Sequence, residues 1–238
     1  TLTTADAASH SGLLVERPSD GVVALWLDRP GRRNALDRAL TEALLHALAR
    51  PGDARAVVLG SSDPAAFCAG ADLKMPDAER AEVSDLLYEL HARIARLPVP
   101  VVAAVEGAAV GGGAQIALAA DLRVGGPNAR FRFPGPGHGL AVGAWGLPAV
   151  VGRGRALDLC LTMRTVDAGE AVRIGLLDRL TDEPRAAALA LASQLAALDP
   201  GAVERVKQVV NEATGSLAAR ELERGGNRPW SGSTEGLS

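Results

Sequence analysis

Glycine and other small residues, rather than a cluster of charged ones, carry the strongest chemical signal in this 238-residue sequence. Residues 100–124 run from an apolar, β-branched stretch through Gly111-Gly112-Gly113 into a small-residue pattern of helical type. Glycines let a ligand approach the backbone closely. A helix start offers unpaired N–H groups and a partial positive charge. Together they suit an oxygen on which negative charge develops. Three glycines after a strand also make an ordinary tight turn, and this segment alone does not separate the two readings. Other chemistries fit less well: Gly107, Gly111, Gly112 and Gly113 lack the G-x-G-x-x-G spacing of a dinucleotide site, and neither G-K-[ST] nor G-x-S-x-G occurs. Cys68 and Cys160 form no disulfide framework or metal cluster and read as small buried apolar groups.

The elements that must position this run follow from apolar periodicity. Residues 13–15 and 22–27 form a hairpin across Ser19-Asp20-Gly21. Leu36, Leu40, Ala43, Leu44, Ala47 and Leu48 recur at helical spacing and end at Pro51-Gly52. Strands are predicted at 56–59, 101–105 and 122–124, and helices over 78–96 and 111–120. Residues 125–152, rich in Gly and Pro, are expected to be mostly loop. From residue 154 onward the pattern is helical only, over 155–161, 167–174, 184–198 and 200–213, with Asp199-Pro200 as a cap and first-turn pair. The expected division is a disordered tail at 1–11, a mixed strand-and-helix core at 12–183 and a helical region at 184–238. Apolar faces in that last region either cover the core or meet another copy of the chain.

Composition narrows the classes. The chain is 47% hydrophobic and 22% charged, the balance of a globular protein, with a net charge of −3 and thus no basic field for nucleic acid or an anionic membrane. No apolar run approaches the roughly 18 residues of a spanning helix, and the small polar start is unlike a signal peptide. A cytoplasmic protein is expected. Lysine occurs only at 74 and 207, so ligand phosphates would be met by arginine or by backbone.

Three segments in order, RPGRRNAL at 29–36, AFCAGADL at 66–73 and the glycine-containing run at 100–124, resemble the signatures of the enoyl-CoA hydratase/isomerase (crotonase) superfamily over roughly residues 12–180. The resemblance implies an α/β fold, a crotonase-like spiral of ββα units with an α-helical C-terminal trimerisation region, often paired into hexamers. It also implies an acyl-CoA or enoyl-CoA thioester as ligand, with coenzyme A entering as part of that ligand and no tightly bound cofactor or metal. By position, the N–H groups of Ala71 and Gly112 would form an oxyanion hole, flanked by Gly111. Ala69, Leu73, Arg32, Arg33 and Ala35 match positions that line the coenzyme A nucleotide. Arg32 and Arg33 would pair with its phosphates, or are a solvated pair. Asp72 matches an acid that orders the loop.

The sequence departs from the family at the chemistry. Hydratases of this type use two glutamates around a water; their positions here hold Gln115 and, after Phe131-Arg132-Phe133-Pro134, Gly135. An amide neither takes nor gives a proton at neutral pH, and each positioned acid or base is worth about 10²–10⁴ in rate. An acyl-CoA binder that is weak or inactive as a hydratase is expected, or else an isomerase, hydratase or thioesterase using another acid/base. His138 is the candidate for that role, its alternative being a surface loop histidine. Trp145 is read either as shaping an acyl pocket or as core. Asp77, Glu79 and Glu106 read as structural, and His10, His46 and His91 carry no signal. The pattern from Phe131 to Trp145 resembles a branch of mycobacterial-type paralogues regarded as acyl-CoA carriers. Relatives continue into a last helix beyond the end of this sequence, so that helix is expected to be missing.

Overall fold

The computed structural model describes residues 12–49 and 51–233; the tail expected over 1–11 lies outside them. A hairpin opens the fold: β1 (Leu13–Ser19) pairs antiparallel with β2 (Val22–Leu27). Strands β3 (Ala56–Ser61), β4 (Val101–Val105), β6 (Leu122–Gly125) and β9 (Arg179–Leu180) then add in parallel, giving the order β1-β2-β3-β4-β6-β9. Both faces of the central strands are buried, which is why they read as unbroken apolar runs. The two-residue period still sorts them. Val23, Leu25, Leu27, Val57 and Leu59 face one core, with Leu40, Leu44, Leu87 and Leu90 of the helices. Val22, Ala24, Trp26, Ala56 and Val58 face a second core, closed by Ala188, Leu191 and Ala192.

A smaller sheet does the positioning. β5 (Ala108–Val110) pairs in parallel with β7 (Arg130–Arg132), and β8 (Val166–Asp167) joins antiparallel. Cys68 forms a parallel bridge to Ala109 at the other side of β5. Strands of the main sheet thus alternate with segments of the small one, and each pair leads into a helix: α1 (Arg38–Ala49), α2 (Asp77–Arg96), α3 (Gly112–Ala119) and, after a Gly-rich stretch, α4 (Leu147–Val151). β5, β7, β8 and β9 were not predicted from the sequence. They span two or three residues each, too few to display a period. β8 and β9 also correct the expectation of helix alone after residue 154.

The remaining helices are α5 (Arg153–Thr162), α6 (Ala168–Ile174), α7 (Pro184–Ala196), α8 (Pro200–Thr214) and α9 (Ser216–Asn227). Asp199 caps α8 by accepting from the Ala202 N–H at 2.8 Å, and α7 is the helix that closes the second core. α8 buries none of its residues, leaving Val206 and Val209 64% and 65% exposed. No single helix among the described residues is long and apolar enough to cross a membrane.

α9 extends beyond the last helix predicted from the sequence. Its buried residues are Ser216, Arg220 and Glu223, spaced i, i+4, i+7, while Leu222 is 80% exposed. The helix therefore docks by a polar stripe. Arg224 holds Asp85 of α2 through two bonds, Nε to Oδ1 at 2.6 Å and Nη2 to Oδ2 at 2.5 Å, and that pairing keeps the Asp85 carboxyl below its usual range.

Candidate active site

Register in the small sheet brings the first two motifs together. Cys68 is opposite Ala109 in a parallel bridge, with the Val110 N–H donating to the Cys68 carbonyl at 2.9 Å. Three residues further along each strand stand Ala71 and Gly112. β7 lies parallel on the other side of β5, with Ala109 opposite Phe131, so the same advance reaches Pro134 and then Gly135. Ala71, Gly111, Gly112, Pro134 and Gly135 accordingly line one cavity of about 600 Å³, within the range of small-molecule sites.

Among the described residues, neither the Ala71 N–H nor the Gly112 N–H donates to a protein acceptor. Gly112 opens α3, so its N–H is one of the unpaired donors of a helix start. Gly70 makes the approach of the two turns feasible. Its φ is +87°, and a Cβ there would lie 2.8 Å from the Val110 carbonyl oxygen and 3.4 Å from the Gly112 nitrogen.

Asn34 and Arg29 hold the first turn in place. The buried Asn34 amide donates to Ser61 Oγ at 2.6 Å and to the Ala66 carbonyl at 2.9 Å, and its Oδ1 accepts from the Arg29 N–H at 2.7 Å. Arg29 pairs with Asp37 at 2.7 Å and approaches Asp72 at 3.7 Å. Asp72 is buried, pairs with Arg32 at 3.3 Å and accepts from the Lys74 N–H at 3.0 Å. It is thereby tied up in ordering this loop.

Gln115, one turn after Gly112, is nearly buried and also lines the cavity. Its Oε1 accepts from Trp145 Nε1 at 2.8 Å and from the Gly143 N–H at 3.2 Å. Two donors fix the oxygen on that side, so the amide NH₂ is the end left for the cavity, a donor and not a base.

Gly135 is filled in rather than merely truncated. A Cβ there would stand 2.6 Å from the Leu140 carbonyl oxygen and 2.7 Å from the Val142 nitrogen. The Gly135 carbonyl also accepts from the His138 and Leu140 N–H groups at 2.8 and 2.9 Å. The backbone has turned in over the position where a glutamate side chain would begin.

His138 lines the cavity from a short 3₁₀ turn, Pro136–His138. Burial, then Arg132 and Arg80, push its pKa down, so the imidazole is neutral at pH 7. Arg80 is buried and donates to the Leu73 and Met75 carbonyls at 3.0 and 2.5 Å, bracing the segment after Asp72.

Ala69 and Leu73 line the cavity as well; Arg32, Arg33, Ala35, Asp72 and Trp145 do not. Arg33 is exposed with φ +49°, and its carbonyl accepts from the Ala69 N–H at 3.0 Å. Trp145 stands behind Gln115, sandwiched between His91, at 5.9 Å between ring centroids, and the Arg220 guanidinium, 4.0 Å from its ring. Of its two readings the core one describes its position. His91, without signal in the sequence, is fully buried, and burial pushes its pKa down to about 3. Asp77 pairs with Arg80 at 2.9 Å, and Glu106 accepts from Asn128 at 2.8 Å.

Sequence reasoning missed the far wall, built by Tyr88 of α2 with Asn227 of α9 and Trp230. Tyr88 Oη donates to Glu223 Oε1 at 2.9 Å and accepts from Asn227 Nδ2 at 2.6 Å. Glu223 is almost fully buried; its Oε2 accepts from the Trp145 N–H at 2.9 Å, and its Oε1 from the Gly143 N–H at 3.2 Å. Burial pushes its pKa up to about 7 despite these donors.

A spiral of strand-strand-helix units with two free backbone donors in one cavity defines a class of protein, and comparison with known chains agrees. The enoyl-CoA hydratase/isomerase family model matches residues 17–225, and the chain belongs to that family. It is 41% identical over 199 residues to "Probable enoyl-CoA hydratase echA6" of Mycobacterium tuberculosis, covering 82% of this chain and 80% of that one. It is 36% identical over 216 residues to "Probable enoyl-CoA hydratase 2, mitochondrial" of Arabidopsis thaliana, covering 85% and 71%. Among solved structures, an enoyl-CoA hydratase from Mycobacterium avium subsp. paratuberculosis superposes with a TM-score of 0.85 at 30% identity, covering 97% of this chain and 98% of that one. A monofunctional enoyl-CoA isomerase from M. smegmatis gives 0.75 at 30% identity, covering 88% and 98%. The crotonase fold expected from the motifs is the fold observed.

Proposed function

We propose that this protein binds an acyl-CoA or enoyl-CoA thioester and polarises its carbonyl with the N–H groups of Ala71 and Gly112, and that it is weak or inactive as a hydratase. The observation that carries the proposal is the pair of unengaged N–H groups opening onto one cavity, set against a site with no glutamate at 115 or 135. Each such donor is worth about 2.7–4 kcal/mol to an oxyanion in other enzymes. Water addition further requires groups that move protons, and Gln115 and Gly135 supply none. Coenzyme A enters as part of the ligand. The exposed valines of α8 are a face that copies of the chain would cover on forming a trimer.

Calorimetric titration with a fatty acyl-CoA, run beside a crotonyl-CoA hydration assay, tests the proposal. Micromolar binding without turnover is the expected result. Turnover at ordinary hydratase rates overturns the second half of the proposal, and absence of binding overturns the first.

A second reading is enolate chemistry, such as double-bond isomerisation, in the same cavity. It is favoured by the neutral His138 imidazole on the cavity wall, since the donors that hold a carbonyl oxygen also hold an enolate.

A further inference from the structure

The hydratase glutamates are absent from 115 and 135, yet a carboxyl group stands directly behind Gln115. It arrives from the other end of the chain. One N–H, that of Gly143, lies 3.2 Å from both Gln115 Oε1 and Glu223 Oε1. Glu223 itself does not line the cavity, but Tyr88 does, and the phenol hydroxyl joins the two at 2.9 Å.

We infer that Tyr88 is a catalytic residue of this cavity, moving a proton to and from the carbon beside the bound thioester carbonyl, and that Glu223 acts through it as the group that stores the proton. This rests on the thioester reading above and names, for its enolate version, a proton carrier other than His138.

The chemistry of the pair fits a relay. Burial first, then the neighbouring Glu223, holds the Tyr88 hydroxyl protonated well above its ordinary range, so the phenol is no base by itself. Glu223 titrates near neutrality, where a proton carrier is most effective. The other ionisable groups that interact with Glu223 are Arg220 of its own helix and Cys160 of α5, a buried thiol. Asp85 of α2 is engaged by Arg224. Asn227 donates to the Tyr88 oxygen and holds the ring in register.

In the forward step a C–H bond on the α-carbon breaks, and its electron pair forms the enolate, whose oxygen rests on the Ala71 and Gly112 N–H groups. The proton passes to Tyr88 Oη as the proton already on that oxygen moves to a Glu223 carboxylate oxygen. Tyrosine ends neutral, the carboxyl ends protonated, and the negative charge has moved from Glu223 to the enolate. The reverse sequence returns the proton to the α-carbon, or to the γ-carbon of a conjugated ligand, which is isomerisation. No oxidant or water is consumed.

The experiment is exchange of the α-hydrogens of octanoyl-CoA in D₂O, followed by proton NMR, with affinity measured in parallel by calorimetry. The wild-type protein is expected to exchange them, with a rate that rises with pH through an apparent pKa near 7. Tyr88→Phe and Glu223→Gln are expected to lose exchange by about 100-fold or more while binding within a few-fold of wild type. If Glu223→Gln does not fold, Tyr88→Phe, which keeps the ring, carries the test. Exchange that survives Tyr88→Phe with the same pH profile overturns the inference, as does exchange lost in His138→Ala but kept in Tyr88→Phe. Wild-type protein that binds octanoyl-CoA without exchanging it also overturns the inference and leaves the thioester reading standing; failure to bind overturns both.

Discussion

Two walls of one cavity are built by different means. The near wall, at Ala71, Gly112 and Gly135, is backbone set by parallel register in the small sheet. The far wall, at Tyr88 and Asn227 with Glu223 behind them, is side chains held by a helix docked through polar contacts. The difference teaches where function in such a site can change. Main-chain donors survive almost any substitution that preserves the register. Proton-moving groups are lost by single replacements, and a new one has to come from whichever element packs nearby.

Breaking the near wall should have the largest effect. A Cβ on Gly113 would stand 2.2 Å from the Cys68 carbonyl oxygen, which is backbone and cannot swing aside. Gly113→Val is expected to cost about 3 kcal/mol or more, lowering Tm by roughly 6–12 °C and abolishing acyl-CoA binding. Thermal denaturation and calorimetry check this; a variant with native Tm and affinity would show that the two motifs do not depend on their close approach.

Attempting to rebuild hydratase chemistry sharpens the same point. Gln115→Glu should fold, because the donors from Trp145 and Gly143 also suit a carboxylate. Adding Gly135→Glu forces a side chain against the Leu140 and Val142 backbone and should cost roughly 1–3 kcal/mol. The double variant is expected to remain inactive on crotonyl-CoA, and recovery of hydration would contradict the filled-in loop.

The far wall should betray itself by pH. The Glu223 pKa is raised in the folded chain to about 7, above the ordinary 4.5. The folded state therefore binds this proton more tightly than the unfolded state. Its stabilising contribution is full below about pH 4.5 and is lost as pH rises through 7, on the order of 3 kcal/mol at most. Urea titrations from pH 5 to 8 should show that decline as the difference between the wild type and Glu223→Gln, because buried His91, its pKa held down at about 3, adds stability that rises with pH over the lower part of the same range. The smallest effect is expected for Asp85→Ala, which frees Arg224 on a half-exposed face. A loss of about 1 kcal/mol should appear as faster proteolysis within α9, with β-sheet stability unchanged.

Much of the near wall was legible in the sequence. Three motifs in order specified the family fold, and the apolar runs at 22–27, 56–59 and 101–105 marked strands; the structure alone sorts Val23, Leu25 and Leu27 from Val22, Ala24 and Trp26 between two cores. Both cysteines are buried and unpaired, as their apolar settings suggested. Gln115 and Gly135 were readable as replacements, but the sequence left Gly135 as a mere absence; only the Leu140 and Val142 backbone shows that the space itself is gone. Trp145 was left open between pocket and core, and its place is settled by His91 and Arg220, residues 54 positions before it and 75 after it in a 238-residue chain.

α9 marks the boundary between what each level decides. The sequence alone determined the elements whose apolar residues repeat at the period of their own structure, because burial of such a face needs no knowledge of the partner. It also determined the glycines, whose backbone freedom is a local property. The partner of a polar stripe is not local. Ser216, Arg220 and Glu223 face inward while Leu222 faces out; for Glu223 this becomes favourable only because the Tyr88 hydroxyl and the N–H groups of Gly143 and Trp145 converge on its carboxyl, and Arg220 lies over the Trp145 ring. Hydrogen bonds are directional and must be matched atom by atom, so the tertiary structure alone decided which carboxyl group stands behind this site.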